Sequence, residues 1–263
     1  MGKYENYKWF YENTLIRPYL PDTALCDEDT LTSYLAQYHM VYLKPEDGGQ
    51  GIGIVKAWRE DGRYGYIIER GDPEYCAAPS ELYNRLFANA VPFTWKPVTN
   101  TTYDTPYIVQ RGIHLAQIRG RPFDIRLMMM RDAAEKWNYA GMLAKVAREK
   151  SIVTNISKGG YVLSVDDALY RSLGISGEKA IRMKNEIIRL GFMCNEVYSR
   201  HMYLPEIGYD IAIDQSGKIW IIEANIGPGR KIFTLLKDKT MYRKIVKLYH
   251  EYRNRKRSGP SKV

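Results

Sequence analysis

The chain has no run of eighteen apolar residues, so no membrane-spanning helix is expected. Its first residues, Met1-Gly2-Lys3-Tyr4-Glu5, lack the apolar core and small-residue cleavage site of a secretory signal. Cysteine is scarce: Cys26, Cys76 and Cys194 are odd in number and far apart. That pattern argues against a disulfide framework and for a reducing, cytoplasmic compartment. None of the three stands in metal-ligand spacing with the four histidines, so no zinc site is expected. Internal repeats and low-complexity stretches are missing. So are the Walker sequence, which ends in Gly-Lys-Ser/Thr at a helix start, and a strand–GxGxxG–helix unit.

What is present is positive charge. The net charge is +9 and the isoelectric point about 9.2, which suits nucleic acid, an anionic surface or a polyanionic small molecule. Part of the excess lies in Arg253, Arg255, Lys256, Arg257 and Lys262, read as a solvated basic tail over residues 253–263. The 22 tyrosines are scattered and form no base-stacking motif.

Hydrophobic spacing predicts a helix over residues 3–11 and an extended segment at Leu20 between Pro18 and Pro21. A helix capped by Asp27 or Asp29 follows, carrying Leu31, Tyr34, Leu35 and Tyr38. Strands are expected at Val41–Lys44, Ile52–Trp58 and Tyr64–Glu69, the last two joined by an Asp61-Gly62 turn. A helix over Ser80–Asn89 precedes a strand at Tyr107–Gln110. Asp124–Arg131 and Trp137–Val146 read as a long hairpin, and Ile152–Thr154 as a further strand. Ser176 caps a helix of some twenty residues whose apolar side holds Ile181, Ile187, Ile188, Cys194, Val197 and Tyr198. Strands Tyr209–Ile213 and Lys218–Ala224 form a hairpin, and a helix near Met241–Tyr252 follows. Early and late hairpins with helices between them give an α+β chain in two lobes.

Three constellations carry chemistry. In the first, a strand delivers Lys44 into a glycine-rich turn, Gly48, Gly49, Gln50, Gly51 and Gly53, and a second strand leads away. Glycine backbones can approach an anion closely and a lysine adds a point charge, so the unit reads as a phosphate loop. An ordinary glycine-rich hairpin is the alternative. In the second, pairing about the turn at Ser216-Gly217 sets Asp210 opposite Glu223, on the face that Asn225 shares. Two carboxylates and an amide oxygen make a hard-oxygen site suited to Mg²⁺. A solvated hairpin face is the alternative, but Glu223 ends the run Ile219-Trp220-Ile221-Ile222, too apolar for an exposed strand. In the third, Asp124 and Arg126 share a strand face, with Lys145 and Arg148 further on, then Asn155 and Gly159-Gly160. An arginine held on a rigid strand can stabilise charge on a transferring phosphoryl group. An Asp124–Arg126 surface pair is the alternative.

In order, these motifs resemble the ATP-grasp superfamily, with a branch likeness to the ribosomal-protein glutamate ligases in Gly49-Gln50-Gly51-Ile52-Gly53, Asp124-Ile125-Arg126 and Glu223-x-Asn225. Arg17-Pro18-Tyr19-Leu20-Pro21-Asp22-Thr23, Val41-Tyr42-Leu43-Lys44-Pro45 and Ile152-Val153-Thr154-Asn155-Ile156 are more similar still to the YheC/YheD family of endospore coat-associated proteins. The likeness covers roughly residues 3–250. It implies an ATP-grasp fold with lobes at residues 41–110 and 111–252, preceded by a short remnant of an N-terminal domain over residues 1–40. It implies Lys44 at the α- and β-phosphates of ATP, with residues 48–53 as the lid and Gln110, Arg111 and Ile113 framing adenine largely through backbone groups. Asp210, Glu223 and Asn225 would hold Mg²⁺, and Arg126 and Asn155 would face the γ-phosphate and the acyl phosphate. Where related ligases carry an arginine some ten residues before Thr-Asn, this chain has Lys145.

The implied function is a carboxylate–amine ligase working through an acyl phosphate. Its amine would belong to a peptide, protein tail or cell-wall fragment, because the short N-terminal segment would leave the acceptor site open. The alternatives are a nucleotide-binding structural protein of the spore coat with little turnover, and, from charge alone, a nucleic-acid-binding protein.

Overall fold

The computed structural model describes residues 2–48, 51–68, 71–88, 106–149, 151–152, 154, 156 and 159–258. Gly49, Gln50, Val153, Asn155 and Lys262 lie outside the described residues. The chain divides into two compact units. The first comprises Met1–Lys8, Pro21–His114 and Arg148–Asn155; the second comprises Trp9–Leu20, Leu115–Ala147 and Ile156–Val263.

The helix expected over residues 3–11 is α1 (Lys3–Glu12). In the first unit, Asp27 caps α2 (Glu28–Tyr38) by accepting the Thr30 N–H at 2.7 Å. The four-residue spacing of Leu31 and Leu35 puts both on one face, and both are fully buried. They pack on an antiparallel sheet of β1 (Thr23–Leu25), β2 (Met40–Pro45), β3 (Val55–Glu60), β4 (Arg63–Ile68), β5 (Glu74–Cys76) and β6 (Tyr107–Arg111), ordered β1-β6-β2-β3-β4-β5. Val41, Leu43, Val55, Ala57 and Val109 supply that apolar face, so Tyr42, Lys44, Lys56 and Gln110 are turned to the other. The Asp61-Gly62 turn is as expected, with both residues at positive φ (47° and 75°). Strand β3 starts at Val55, three residues later than Ile52, because Gly51 and Gly53 adopt left-handed φ values of 71° and 70°. The helix expected over Ser80–Asn89 is α3 (Pro79–Tyr83) followed by a π-helical turn, Asn84–Ala88. Ile152 and Thr154 are in no strand.

The second unit is built on β7 (Gln117–Ile118), β8 (Arg121–Arg131), β9 (Trp137–Val146), β10 (Tyr161–Leu163), β11 (Glu206–Ile213) and β12 (Ile219–Ile226). The main path runs β10-β9-β8-β11-β12 and β7 pairs with β8. One face packs on α5 (Gly177–His201), through Ile187, Leu190, Cys194, Val197 and Tyr198. Contact is close enough that a Cβ on Gly191 would lie 2.6 Å from Leu127 Cδ2. Ile181, expected on the apolar side, is exposed. In the first turn of α5, Ala180 takes the buried position, and the neighbouring Ile181 is turned outward. On the other face, Met128, Met130 and Leu143 meet Phe233, Ile245 and Leu248. Two of those lie on α6 (Thr240–Ser258), and Phe233 on the 3-10 helix Arg230–Leu235.

Helix α6 continues six residues past Tyr252, through part of what was read as a solvated tail. Arg253 donates to the Tyr249 hydroxyl at 2.7 Å and Arg255 pairs with Glu135, which gives the added turn side-chain partners. The 3-10 turn Arg17–Tyr19 accommodates Pro18, and Leu20 is extended as expected. Helix α4 (Val165–Leu173) was not foreseen, although Ser164 caps it through the Asp167 N–H and Gly174 ends it in a left-handed conformation. No helix among the described residues is long and apolar enough to cross a membrane.

Candidate functional site

The alternation Asp124-Ile125-Arg126-Leu127-Met128-Met129-Met130 divides β8 between its two faces. Ile125, Leu127 and Met129 go to one side, and Asp124, Arg126, Met128 and Met130 to the other. The two methionines lie in the cluster formed with α6, whereas Asp124 and Arg126 stand at the other end of the same face. There β9 adds Lys145 opposite Asp124, and β11 adds Asp210 opposite Arg126. Asp210 also pairs with Glu223, as the hairpin arithmetic predicted; a bulge between Asp210 and Ile211 then shifts the pairing toward the turn.

Asp210 is the hub. Its Oδ1 accepts from Arg126 Nε at 2.7 Å and from Lys145 Nζ at 3.0 Å; its Oδ2 accepts from Arg126 Nη2 and Asn225 Nδ2, both at 3.2 Å. Lys145 also meets Asp124 at 3.0 Å. Burial alone would raise the Asp210 pKa, but Arg126 and then Lys145 outweigh it and hold the carboxyl well below its ordinary range. Burial opposes the charges of Arg126 and Lys145 in turn. Asp210 with Asp124 and Glu223 around Arg126, and Asp124 with Asp210 around Lys145, raise both above their usual values. Arg126 is therefore not in the Asp124 surface pair considered above: its direct partner is Asp210, and Asp124 is bonded to Lys145.

Asp210, Glu223 and Asn225 come together as predicted, with Asp210 buried and the other two half-buried. Oxygens of two carboxylates and one amide fit Mg²⁺ chemically. Among the described residues no three His, Cys, Asp or Glu side chains are placed so that they could hold a metal ion, so the set depends on the amide. Both Asp210 oxygens already face cations or an amide N–H. A bare divalent ion would meet two positive charges beside its third ligand, whereas phosphate oxygens would give those cations new partners.

Gly208, two residues before Asp210, is a close-approach point. A Cβ there would lie 2.7 Å from Pro228 Cβ and 3.1 Å from Arg126 Cδ. Gly208→Ala should therefore displace Arg126 or the 227–230 loop and destabilise the protein by about 1–3 kcal/mol, as overpacking does. Chemical denaturation checks this; an unchanged midpoint would show that the loop yields freely.

In the first unit Lys44 is buried, its Nζ donating to Gln110 Oε1 at 2.6 Å and lying 6.0 Å from the Tyr42 ring centre. Lys56, paired with Tyr42 on the same face, was not foreseen; its only signal is its place two residues before Trp58 on the strand leaving the loop. Burial lowers its pKa. The loop base is held by the N-terminus. Lys3 Nζ donates to Pro45 O at 2.8 Å and Gly48 O at 2.9 Å, while Glu46 accepts the Tyr4 N–H. Gly53 needs its missing side chain, since a Cβ would lie 3.0 Å from both Pro45 Cγ and Tyr107 Oη. Gly48 is exposed and Gly51 half-buried. The Arg111 side chain leaves the Lys44 face and lies 5.3 Å over the Tyr38 ring. Its N–H donates to Asp22 O and that of Gly112 to Met40 O. Ile113 is buried.

A lysine-bearing antiparallel sheet with a glycine-rich turn, and a second antiparallel sheet presenting arginine, lysine and acidic oxygens on one face, are the parts of an ATP-grasp protein. A family model described as YheC/D like ATP-grasp matches residues 1–254, and the chain belongs to that family. It is similar to endospore coat-associated protein YheD of Bacillus subtilis (strain 168), with 27% identity over 225 residues, 82% of this chain and 46% of that protein. It is also similar to endospore coat-associated protein YheC of the same strain, with 25% identity over 231 residues, 84% of this chain and 58% of that protein. The chain thus spans about half the length of the curated relatives it matches. Membership in the family points to an ATP-binding, ligase-type function.

Proposed function

We propose that this protein binds Mg-ATP and joins a carboxylate to an amine through an acyl phosphate. The observation that carries the reading is the concentration of Arg126, Lys145, Asp210, Glu223 and Asn225 on one sheet face. Lys44 would grip the α- and β-phosphates beneath the 48–53 turn. Gln110, Arg111 and Ile113 would frame adenine. Asp210, Glu223 and Asn225 would hold Mg²⁺, which neutralises phosphate charge when bound. A carboxylate oxygen of the donor attacks the γ-phosphorus, the bond to the β–γ bridging oxygen breaks, and ADP leaves. The amine nitrogen then attacks the acyl carbon, loses a proton, and releases phosphate. Arg126 and Lys145 stay charged throughout and stabilise the transferring phosphoryl group; Asn155 would face the same group.

The test is ADP release from Mg-ATP in a screen of amino acids, short peptides and cell-wall fragments. Release that requires an added amine supports the ligase. The strong positive charge favours acidic donors or anionic polymeric acceptors, so the apparent KM for such a partner should rise with ionic strength. The names of the two relatives favour a second reading, a nucleotide-binding protein of the spore coat. ATP binding without turnover in the full screen would select it. Nucleic-acid binding that falls with salt and ignores ATP would defeat both.

The cations on Asp210 also make metal binding depend on nucleotide. Mn²⁺ alone, followed by electron paramagnetic resonance, should bind no tighter than millimolar. With a non-hydrolysable ATP analogue it should bind at least about tenfold tighter, the ordinary size of a coupling between two ligands. Equal Mn²⁺ affinity with and without the analogue would rule this out.

A further inference from the structure

We propose that Thr23 and Gln110 are positioning residues for Lys44, forming a one-way hydrogen-bonded chain that aims its ammonium group. The proposal rests on the reading of Lys44 as the phosphate-binding lysine and adds two residues whose side chains that reading leaves idle. All three residues are buried. Thr23 on β1 pairs directly with Gln110 on β6, and Lys44 on β2 is its diagonal neighbour, paired with Ile108. The three side chains therefore project from one face of the sheet.

Chemistry sets the direction of every bond in the chain. The Thr23 hydroxyl donates its single proton to Pro21 O at 2.9 Å, so toward Gln110 its oxygen can act only as an acceptor. Gln110 meets it with Nε2 at 3.0 Å. With the amide nitrogen committed to Thr23, the amide oxygen faces Lys44 and accepts from Nζ at 2.6 Å. Turning the amide over would set an NH₂ group against an ammonium, donor against donor, in a buried place. Thr23 thus fixes the orientation of Gln110, and Gln110 fixes Lys44. A lysine stem has four rotatable bonds, and holding its head beforehand removes ordering that a bound phosphate would otherwise have to impose. The segment ending at Thr23 acquires a role at the site through this chain, although no motif in it would contact nucleotide.

The experiment measures binding of ATP and ADP by calorimetry, and of adenosine by ligand-observed NMR, on the full chain with excess Mg²⁺. Thr23→Val removes the acceptor at nearly constant volume; Thr23→Ser keeps it. Gln110→Met removes the oxygen at similar length. Thr23→Val and Gln110→Met should each weaken ATP and ADP by roughly tenfold, the size of one hydrogen bond to a charged group, and Thr23→Val, outside the adenine frame, should leave adenosine unchanged. Thr23→Ser should bind like the parent. On a Lys44→Ala background, Thr23→Val should have no further effect, because the chain then has nothing to aim. Equal losses for ATP and adenosine in Thr23→Val, or a full loss retained in the Lys44→Ala background, would overturn the proposal. So would parental ATP affinity in both Thr23→Val and Gln110→Met. If the parent protein binds neither ATP nor ADP, the nucleotide reading itself falls, an outcome distinct from any variant result.

Discussion

Asp210→Asn should cost the protein about 3–5 kcal/mol, the range for removing one charge from a buried ion network. The asparagine keeps the shape but strips the anion from between Arg126 and Lys145, whose side chains are 14% and 8% exposed. Asp166→Asn is the matched control. Asp166 pairs with Lys184 at 2.7 Å, but its side chain is 61% exposed, and the change should cost less than about 1 kcal/mol. Chemical denaturation at neutral pH decides; equal losses in the two variants would mean the Asp210 cluster is not a buried network. The pH dependence follows from the same geometry. The folded pKa of Asp210 is depressed, so its contribution is complete above the unfolded carboxyl value of about 4 and is lost as pH falls below it. Asp210→Asn should therefore flatten the acid limb of the stability profile. Metal binding should weaken with it, since Mn²⁺ would lose one of its two anionic ligands and meet only a neutral amide there, even with nucleotide present.

Lys44→Ala should lower the affinity for ATP by about 10- to 100-fold, the worth of a charge-assisted hydrogen bond in a dry setting. The phosphates are charged in the ground state, so the loss appears in binding. Arg126→Lys should behave differently. It keeps the charge that Asp210 requires but gives up the planar fork, which now makes two bonds to that carboxylate. ATP affinity should stay near the parental value while amine-dependent ADP release falls by about a hundredfold, the loss expected for one stabilising group at a transferring centre. Calorimetry beside a coupled ADP assay separates the two. If Arg126→Lys weakens ATP as much as Lys44→Ala does, the proposed division of labour between the residues is wrong.

Lys44, Asp210 and Glu223 were legible in the sequence for local reasons. A lysine leading into glycines between two strands has few readings, and counting back from the Ser216-Gly217 turn sets one acidic residue opposite the other. The bulge between Asp210 and Ile211 was needed for that count to hold: nearer the turn Ile211 pairs with Ile221, one residue out of it, and the extra residue at the bulge sets Asp210 opposite Glu223. The partner of Arg126 was not legible. Asp124, two residues away on the same face, was the natural choice, yet Asp210 lies 84 residues on and reaches Arg126 only through the β8–β11 pairing. Thr23 was hidden in the same way: 87 residues separate it from Gln110, and a threonine in a short strand carries no chemical signal by itself.

The extent of α6 shows a related difficulty. A run of arginines and lysines reads as a solvated end on charge alone, but Tyr249 and Glu135 supply partners that support a helix there. What the sequence by itself determined is the set of reactive residue types, the faces they occupy on each strand, and the ATP-grasp order of the motifs. These follow from alternation along a strand and from turn chemistry, which act over a few residues. Tertiary structure alone decided which charges neutralise one another and which polar groups are aimed at them. The hub at Asp210 and the chain from Thr23 to Lys44 are made by strands distant in sequence, and burial gives those contacts their strength.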